Sequence, residues 1–267
     1  MDNPPHALFV GSLAKGLRIL RAFDMNETEM SLSELVRKTG LDKSSVQRLA
    51  NTLYLEGFLY KDDVTRRFRP SLAWLEMANA YYWSDPLVAL AMPKLIDLSR
   101  DIGETVNLAR LSDGHINYVF RLPNTRSRFA ATIAGSKLPA LGTASGRVIL
   151  STWDQLSRAE ALRDWPTYAV TPATILDRDQ IAREVEDAAR EGYSITQGQA
   201  LVNEISIAAP IRDASGRAAA AVQCSVSGLQ WDHDRIIAKI VPALTNTANS
   251  ILIPSRAGYP NMDPKIE

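Results

Sequence analysis

Apolar residues recur at helical spacing in three successive segments near the start of the chain. Leu13, Leu17, Ile19, Leu20 and Phe23 predict a first helix with Ser12 as its cap. Leu32, Leu35 and Val36 predict a second. Ser31 and Glu34 open it in the S-x-x-E spacing of a capping box, and Gly40 closes it. Met30 and Leu35 flank that box as a hydrophobic staple. Val46, Leu49, Ala50 and Leu53 predict a third helix, capped by Asp42 and stopped by Gly57. Half a turn away on that helix stand Ser44, Gln47, Arg48 and Asn51. Two short strands follow, Phe58–Lys61 and Arg66–Arg69, around the turn Asp62–Thr65. Three helices and a hairpin in this order predict a winged helix-turn-helix.

Beyond Pro70 the pattern changes. SLAWLEMANAYYW reads as a helix with Ser71 as its cap. Its Trp74, Tyr81, Tyr82 and Trp83 exceed what one small domain can bury, which points to a helix that joins two domains and pairs subunits. Asp85 and Pro86 cap and open the next helix, Pro93 predicts a kink or restart in it, and Gly103 ends it. ETVNLARL and HINYVFRL alternate as strands around a Ser112-Asp113-Gly114 turn. Asn124–Arg128 reads as a loop and FAATI, residues 129–133, as a third strand. Pro139 argues against regular structure at its position, and a helix follows from about Ala144 to Ser151.

Two charged amphipathic helices come next, DQLSRAEALRDW and LDRDQIAREVEDAAREGY. The second is capped by Asp177, buries Ile181, Val185 and Ala188, and stops at Gly192. YSIT and ISIAAPI read as strands, and Asp213–Gly216 turns into the strand AAAAVQCSVSG. Asp232 opens a last helix through Ile236, Ile240, Leu244 and Ile251. Antiparallel hairpins flank helices without a βα alternation, so the expected fold class is α+β: one sheet with helices packed outside. The expected organisation is a winged helix-turn-helix over residues 1–70, a joining helix over 71–84, a sensor domain over 85–253 and a disordered tail over 254–267.

Composition narrows this only locally. The hydrophobic share of 46% and charged share of 22% are ordinary for a globular protein. Lys+Arg and Asp+Glu balance at 30 each, so any nucleic-acid footprint must be local. The one cysteine, Cys224, excludes an intramolecular disulfide and a cysteine-cluster zinc site, and reads as a small buried apolar residue. MDNPPHALFV lacks the pattern of a signal peptide, and no apolar run is long enough to span a bilayer. The expectation is a cytoplasmic protein with no membrane partner.

Chemistry enters at the outward face of the third helix. Ser44, Gln47, Arg48 and Asn51, with Lys43 and Ser45 at the helix start, are donor-rich types that bond phosphates and base edges. Arg66, Arg67 and Arg69 make the return strand basic, which suits a wing on the phosphate backbone. Ser31 completes the candidate DNA-binding set, and the expected partner is a double-stranded operator. Enzyme readings are weak. His6, His115 and His233 show no ligand spacing, and a helix start accounts for Asp232-His233-Asp234. GTASGR is not a phosphate loop, and no G-x-S-x-G elbow is present. No catalytic residue, metal or cofactor is expected. The alternative is a small-molecule enzyme or sensor whose winged helix only makes protein contacts. The polar outward face and the arginine-rich wing discriminate against it.

The chain resembles the IclR family of bacterial transcriptional regulators from about Ser12 to about Leu252. The resemblance is carried by SLAKGLRILRAF, LSELVRKTGLDKSSVQRLANTLYLEGFL and RPSLAWLEMA in the first half. LGTASGRVILS, REGYSITQGQ, ISIAAPIRDASGR and AVQCSVSG carry it in the second. It implies a winged helix-turn-helix joined to a GAF-like α/β effector-binding domain, a homodimer or homotetramer, and an operator affinity altered by a small metabolite. The family often has a glycine and a cysteine around VNEISIAAP. Here Asn203-Glu204 and Ser206 stand there, which leaves the ligand's charge open.

The best candidate effector site is Leu141, Gly142, Thr143, Ala144, Ser145 and Gly146 facing Ser206 and Ser225. Gly142 lets backbone approach a ligand, and the amides that open the following helix favour a carboxylate. An organic acid is therefore the expected effector.

Overall fold

The structure, a computed structural model, describes residues 8–124 and 135–253. The strand expected at 129–133, the loop after Asn124 and the tail from 254 lie outside them. The chain divides into two units between Ser84 and Asp85.

The first unit holds α1 (Gly11–Leu20), α2 (Leu32–Thr39), α3 (Lys43–Leu55), β1 (Leu59–Lys61), β2 (Phe68–Pro70) and α4 (Ala73–Ser84). Its termini obey the local chemistry. The Ser31 hydroxyl accepts the Glu34 amide while the Glu34 carboxylate accepts the Ser31 amide at 2.7 Å. Gly40 adopts φ 67°, the left-handed conformation that stops α2. Asp42 accepts the Ser45 amide at 2.8 Å and so starts α3. Ile19, Phe23, Met30, Leu35, Val46, Ala50, Leu59 and Phe68 form the core. Met30 bridges Phe68 through both backbone bonds, which ties the start of α2 to the wing.

The first helix departs from expectation. It starts at Gly11 after Val10, with no side-chain cap, and Leu13 and Leu17 are 62% and 43% exposed. The cause is Gly16: α1 approaches Leu49 of α3 there, so the inward stripe runs through Gly16, Ile19 and Phe23. That phase turns Leu13 and Leu17 outward.

The second unit holds α5 (Pro86–Ile102), β3 (Thr105–Ser112), β4 (His115–Leu122), β5 (Lys137–Pro139), α6 (Ala144–Leu150), α7 (Gln155–Asp164), α8 (Arg178–Glu191), β6 (Ser194–Gln197), β7 (Glu204–Arg212), β8 (Ala218–Ser227), α9 (His233–Arg235) and α10 (Val241–Ser250). A 3-10 turn, Ala140–Gly142, precedes α6, and a π-helical turn, Ile236–Ile240, joins α9 to α10. The sheet order is β5-β4-β3-β8-β7-β6, and every pair named here is antiparallel. The mixed α+β class therefore holds.

Two proline positions differ from expectation. α5 continues through Pro93, so the helix does not restart there. Pro139 is not outside regular structure but ends β5, opposite His115. β5 is an edge strand, where a missing N–H is tolerated.

One sheet face packs on α6 through Ala109, Tyr118, Ala208 and Ala221, against Ala144 and Val148. The alternating set Val106, Leu108, Ile207, Val222 and Cys224 points the other way, and all five are wholly buried.

Candidate nucleic-acid interface and ligand site

α3 separates its two faces cleanly. Val46 and Ala50 are buried, whereas Lys43, Ser44, Gln47, Arg48 and Asn51 are all exposed. The row of donors thus stands in solvent on a helix whose position is set by the core behind it. Ser45 is different: its hydroxyl bonds the Asp42 carboxylate, the first cause of that acid's lowered pKa. Ser31 is likewise engaged, since its hydroxyl donates to Glu34 Oε2 at 2.8 Å.

The wing sorts its three arginines. Asp62 shapes the turn by accepting the amides of Val64 and Thr65 at 3.0 and 2.6 Å, and Arg66 follows at φ 58°. Arg66 and Arg69 are exposed, with the Arg69 guanidinium 4.6 Å from the Tyr60 ring centre. Arg67 turns inward instead. Its Nη2 lies 2.8 Å from Glu34 Oε2 and donates to the Glu29 carbonyl at 3.0 Å. The Glu34 carboxyl is held down at about 2, first by the Ser31 amide, then by the Ser31 hydroxyl and Arg67. Arg67 is thus a brace between wing and α2, and not part of the exposed basic face. The acids at Glu29 and Glu34 were the signal for this in the sequence.

In the second unit, the Thr143 hydroxyl accepts the Gly146 amide at 3.0 Å and starts α6. Leu141, Ala144 and Ser145 are wholly buried, and Gly142 is half-buried. Ala144 packs in the apolar cluster of α6. Gly146 lets α6 close on the turn before it: a Cβ there would lie 2.0 Å from the Ala140 carbonyl oxygen. Arg147, wholly buried, braces the same corner through the Leu141 carbonyl at 2.9 Å, Gln199 Oε1 at 2.8 Å and Glu184.

Ser206 and Ser225 are direct partners in the β7–β8 register, so both sit on one sheet face. Gln223 Nε2 donates to both hydroxyls, at 3.0 and 2.8 Å. Ser206 donates to Glu204 Oε1 at 2.7 Å. Asn107 and Arg121 extend the polar floor across β3 and β4. Burial pushes the Glu204 carboxyl up, against the lowering by Ser206, Ser225 and Arg121. Sequence reasoning missed Asn107, Arg121 and Gln223 as site residues. Their signal was a polar residue between apolar neighbours, as in Val106-Asn107-Leu108 and Val222-Gln223-Cys224.

Among the described residues, no helix is long and apolar enough to cross a membrane. The model of the IclR helix-turn-helix domain matches residues 12–63. That of the bacterial transcriptional regulator IclR C-terminal domain matches residues 79–253. The Pca regulon regulatory protein of Pseudomonas putida is 29% identical over 237 residues, covering 88% of this chain and 81% of that one. The p-hydroxybenzoate hydroxylase transcriptional activator of Acinetobacter baylyi is 25% identical over 248 residues, covering 91% of each. A crystal structure of an IclR transcriptional regulator from Alicyclobacillus acidocaldarius superposes with a TM-score of 0.79 at 22% identity, over 91% of this chain and 98% of that one.

Proposed function

The chain belongs to the IclR family of bacterial transcriptional regulators, and from that premise we propose how its residues divide the work. α3 reads an operator in the major groove, Arg66 and Arg69 hold phosphates beside it, and a small organic acid bound over the polar floor of the second unit sets the operator affinity. Gln47 and Arg48 take base edges, Lys43 and Ser44 take phosphate, and Asn51 extends the reading face. Ser31, Ser45 and Arg67 act by holding α2, α3 and the wing in place.

The observation that carries the DNA reading is the exposed donor row on α3, set opposite a buried apolar face. A gel shift with DNA selected from a random pool, run at stepped salt, tests it. Binding should weaken as salt rises, and selected DNA should bind more tightly than unselected DNA. Binding that ignores salt would defeat the reading.

An acid as effector is supported by the Ala144 and Ser145 amides at the start of α6, which have no intrahelical partner, the Gly146 amide being taken by Thr143. Two relatives are named for the pca regulon and for p-hydroxybenzoate hydroxylase, so an aromatic acid is a suitable first candidate. The working form is a dimer in the cytoplasm, paired through α1 and α4 of the first unit. Support comes from Phe9, Val10 and Leu13 near α1 and from Leu72, Leu75 and Trp83 around α4, all more than half exposed. A two-fold operator would match it.

A further inference from the structure

A polar chain, buried at its centre and half-buried at its ends, crosses four neighbouring strands, and the hydrogen bonds that link its side chains point the same way. The Arg121 guanidinium on β4 donates to Asn107 Oδ1 on β3 at 3.1 Å. Asn107 Nδ2 donates to Gln223 Oε1 on β8. Gln223 Nε2 passes the direction on to Ser206 and Ser225, and Ser206 donates to the Glu204 carboxylate on β7. The Ser225 hydroxyl reaches the same carboxylate. The ends dictate the orientation of the two amides: a guanidinium only donates and a carboxylate only accepts. The floor therefore has a positive end over β4 and a negative end over β7.

Two features set this chain apart from a self-contained buried network. Glu204 is half-buried and receives only hydroxyls, with no cation within ion-pair distance among the described residues. Above the floor, the wholly buried Ser145 Oγ has no well-formed hydrogen bond, only a weak contact with the Tyr118 hydroxyl. It lies beside Tyr118, whose hydroxyl is influenced by Glu204 and Arg121 as well. A buried hydroxyl held only weakly and a half-buried carboxylate held only by neutral hydroxyls both have acceptor capacity left over, which a ligand that supplies a donor can fill.

We propose that Glu204 is the specificity-determining residue of the effector site. It accepts a hydrogen bond from a hydroxyl or amino group at one end of a ligand whose carboxylate lies toward the Arg121 end. The effector is then a bipolar acid, a hydroxy acid or an amino acid, and not a plain acid. This rests on the reading of the polar floor as the effector site. A plain acid would lay an apolar end against Glu204 and take away its water without replacing it. Sites built to bond a hydroxyl reject analogues that lack it by large factors.

The test is calorimetry on the full chain with matched acids, each with and without the far donor: 4-hydroxybenzoate and benzoate, 6-aminohexanoate and hexanoate, 4-hydroxybutyrate and butyrate. In at least one pair the donor-bearing member should bind ten-fold more tightly or better. Glu204→Met, close in volume and without a strong acceptor, should bring that ratio below three-fold. If that variant does not fold, Glu204→Gln should still remove the preference for 6-aminohexanoate. Equal binding within every pair, binding by none of the six, or a ratio that survives in the variants overturns the proposal. A gel shift separates this from the wider reading. If plain acids alter operator binding, the regulator reading stands and the role of Glu204 fails. If the chain does not bind DNA at any salt, the wider reading fails as well.

Discussion

Single carboxylates in the two units respond to pH with opposite sign. Glu34 has a folded pKa of about 2 against an ordinary value of 4.5, so its bonds stabilise the fold above 4.5 and are lost as pH falls toward 2. Thermal melts at stepped pH should show that loss, and Glu34→Gln should flatten the acid limb. The same slope in both proteins would count against it. Glu204 is displaced upward, so the folded state holds its proton more tightly and ionisation opposes folding. Its penalty is absent in acid and grows as pH rises from the ordinary carboxylate range to the raised folded value. Glu204→Gln should therefore raise the melting temperature more at pH 8 than at pH 4. On α3, Arg48→Ala should cost about 1–3 kcal/mol on selected DNA and less on random DNA. Equal losses on both would remove its base-reading role.

Elements divide labour in ways that single residues do not reveal. Of the three wing arginines, Arg66→Ala and Arg69→Ala should each flatten the salt slope by about one unit. Arg67→Ala should leave the slope alone and lower the melting temperature, because it releases Glu29 and Glu34. Three equal slopes would erase that distinction. At the start of α6, Gly146→Ala drives a methyl into the Ala140 carbonyl, which cannot move aside like a side chain. A cost of about 3 kcal/mol or more, at the upper end of overpacking, should appear in denaturant titrations. Helix ends were the most legible part of the sequence, because Ser31, Asp42, Asp85 and Asp177 cap by local geometry alone. The phase of α1 was not legible, since it depends on Gly16 meeting Leu49 from another helix. Nor was the place of Pro139, which is acceptable only because β5 is an edge.

At the scale of the whole molecule, the proposed pairing would cover Leu72, Leu75 and Trp83, all more than half exposed. Light scattering at micromolar concentration should give a dimer or a multiple of it, and Leu75→Asp should shift it toward monomer. A monomeric wild type would end the pairing proposal. The α+β class was readable because hairpins and amphipathic helices announce themselves by period and turn chemistry. The polar floor was only half readable. Ser206 and Ser225 could be named, but their tie to Asn107 and Arg121 passes through Gln223, 116 positions beyond Asn107, and exists only once β3 pairs with β8.

The lone thiol of Cys224 sits in that central pair of strands, wholly buried and with its pKa pushed well up by burial. Thiolate, not thiol, is what reacts, so a disulfide reagent should find nothing to label in the folded protein. Its slow colour change would then be a clock, timing how often the sheet comes apart. The same silence makes the natural chain a ready background for spectroscopy. A cysteine placed at the exposed Asn51 would take a fluorophore on its own, and the motion of the reading helix could be followed with the native sulfur left where it is.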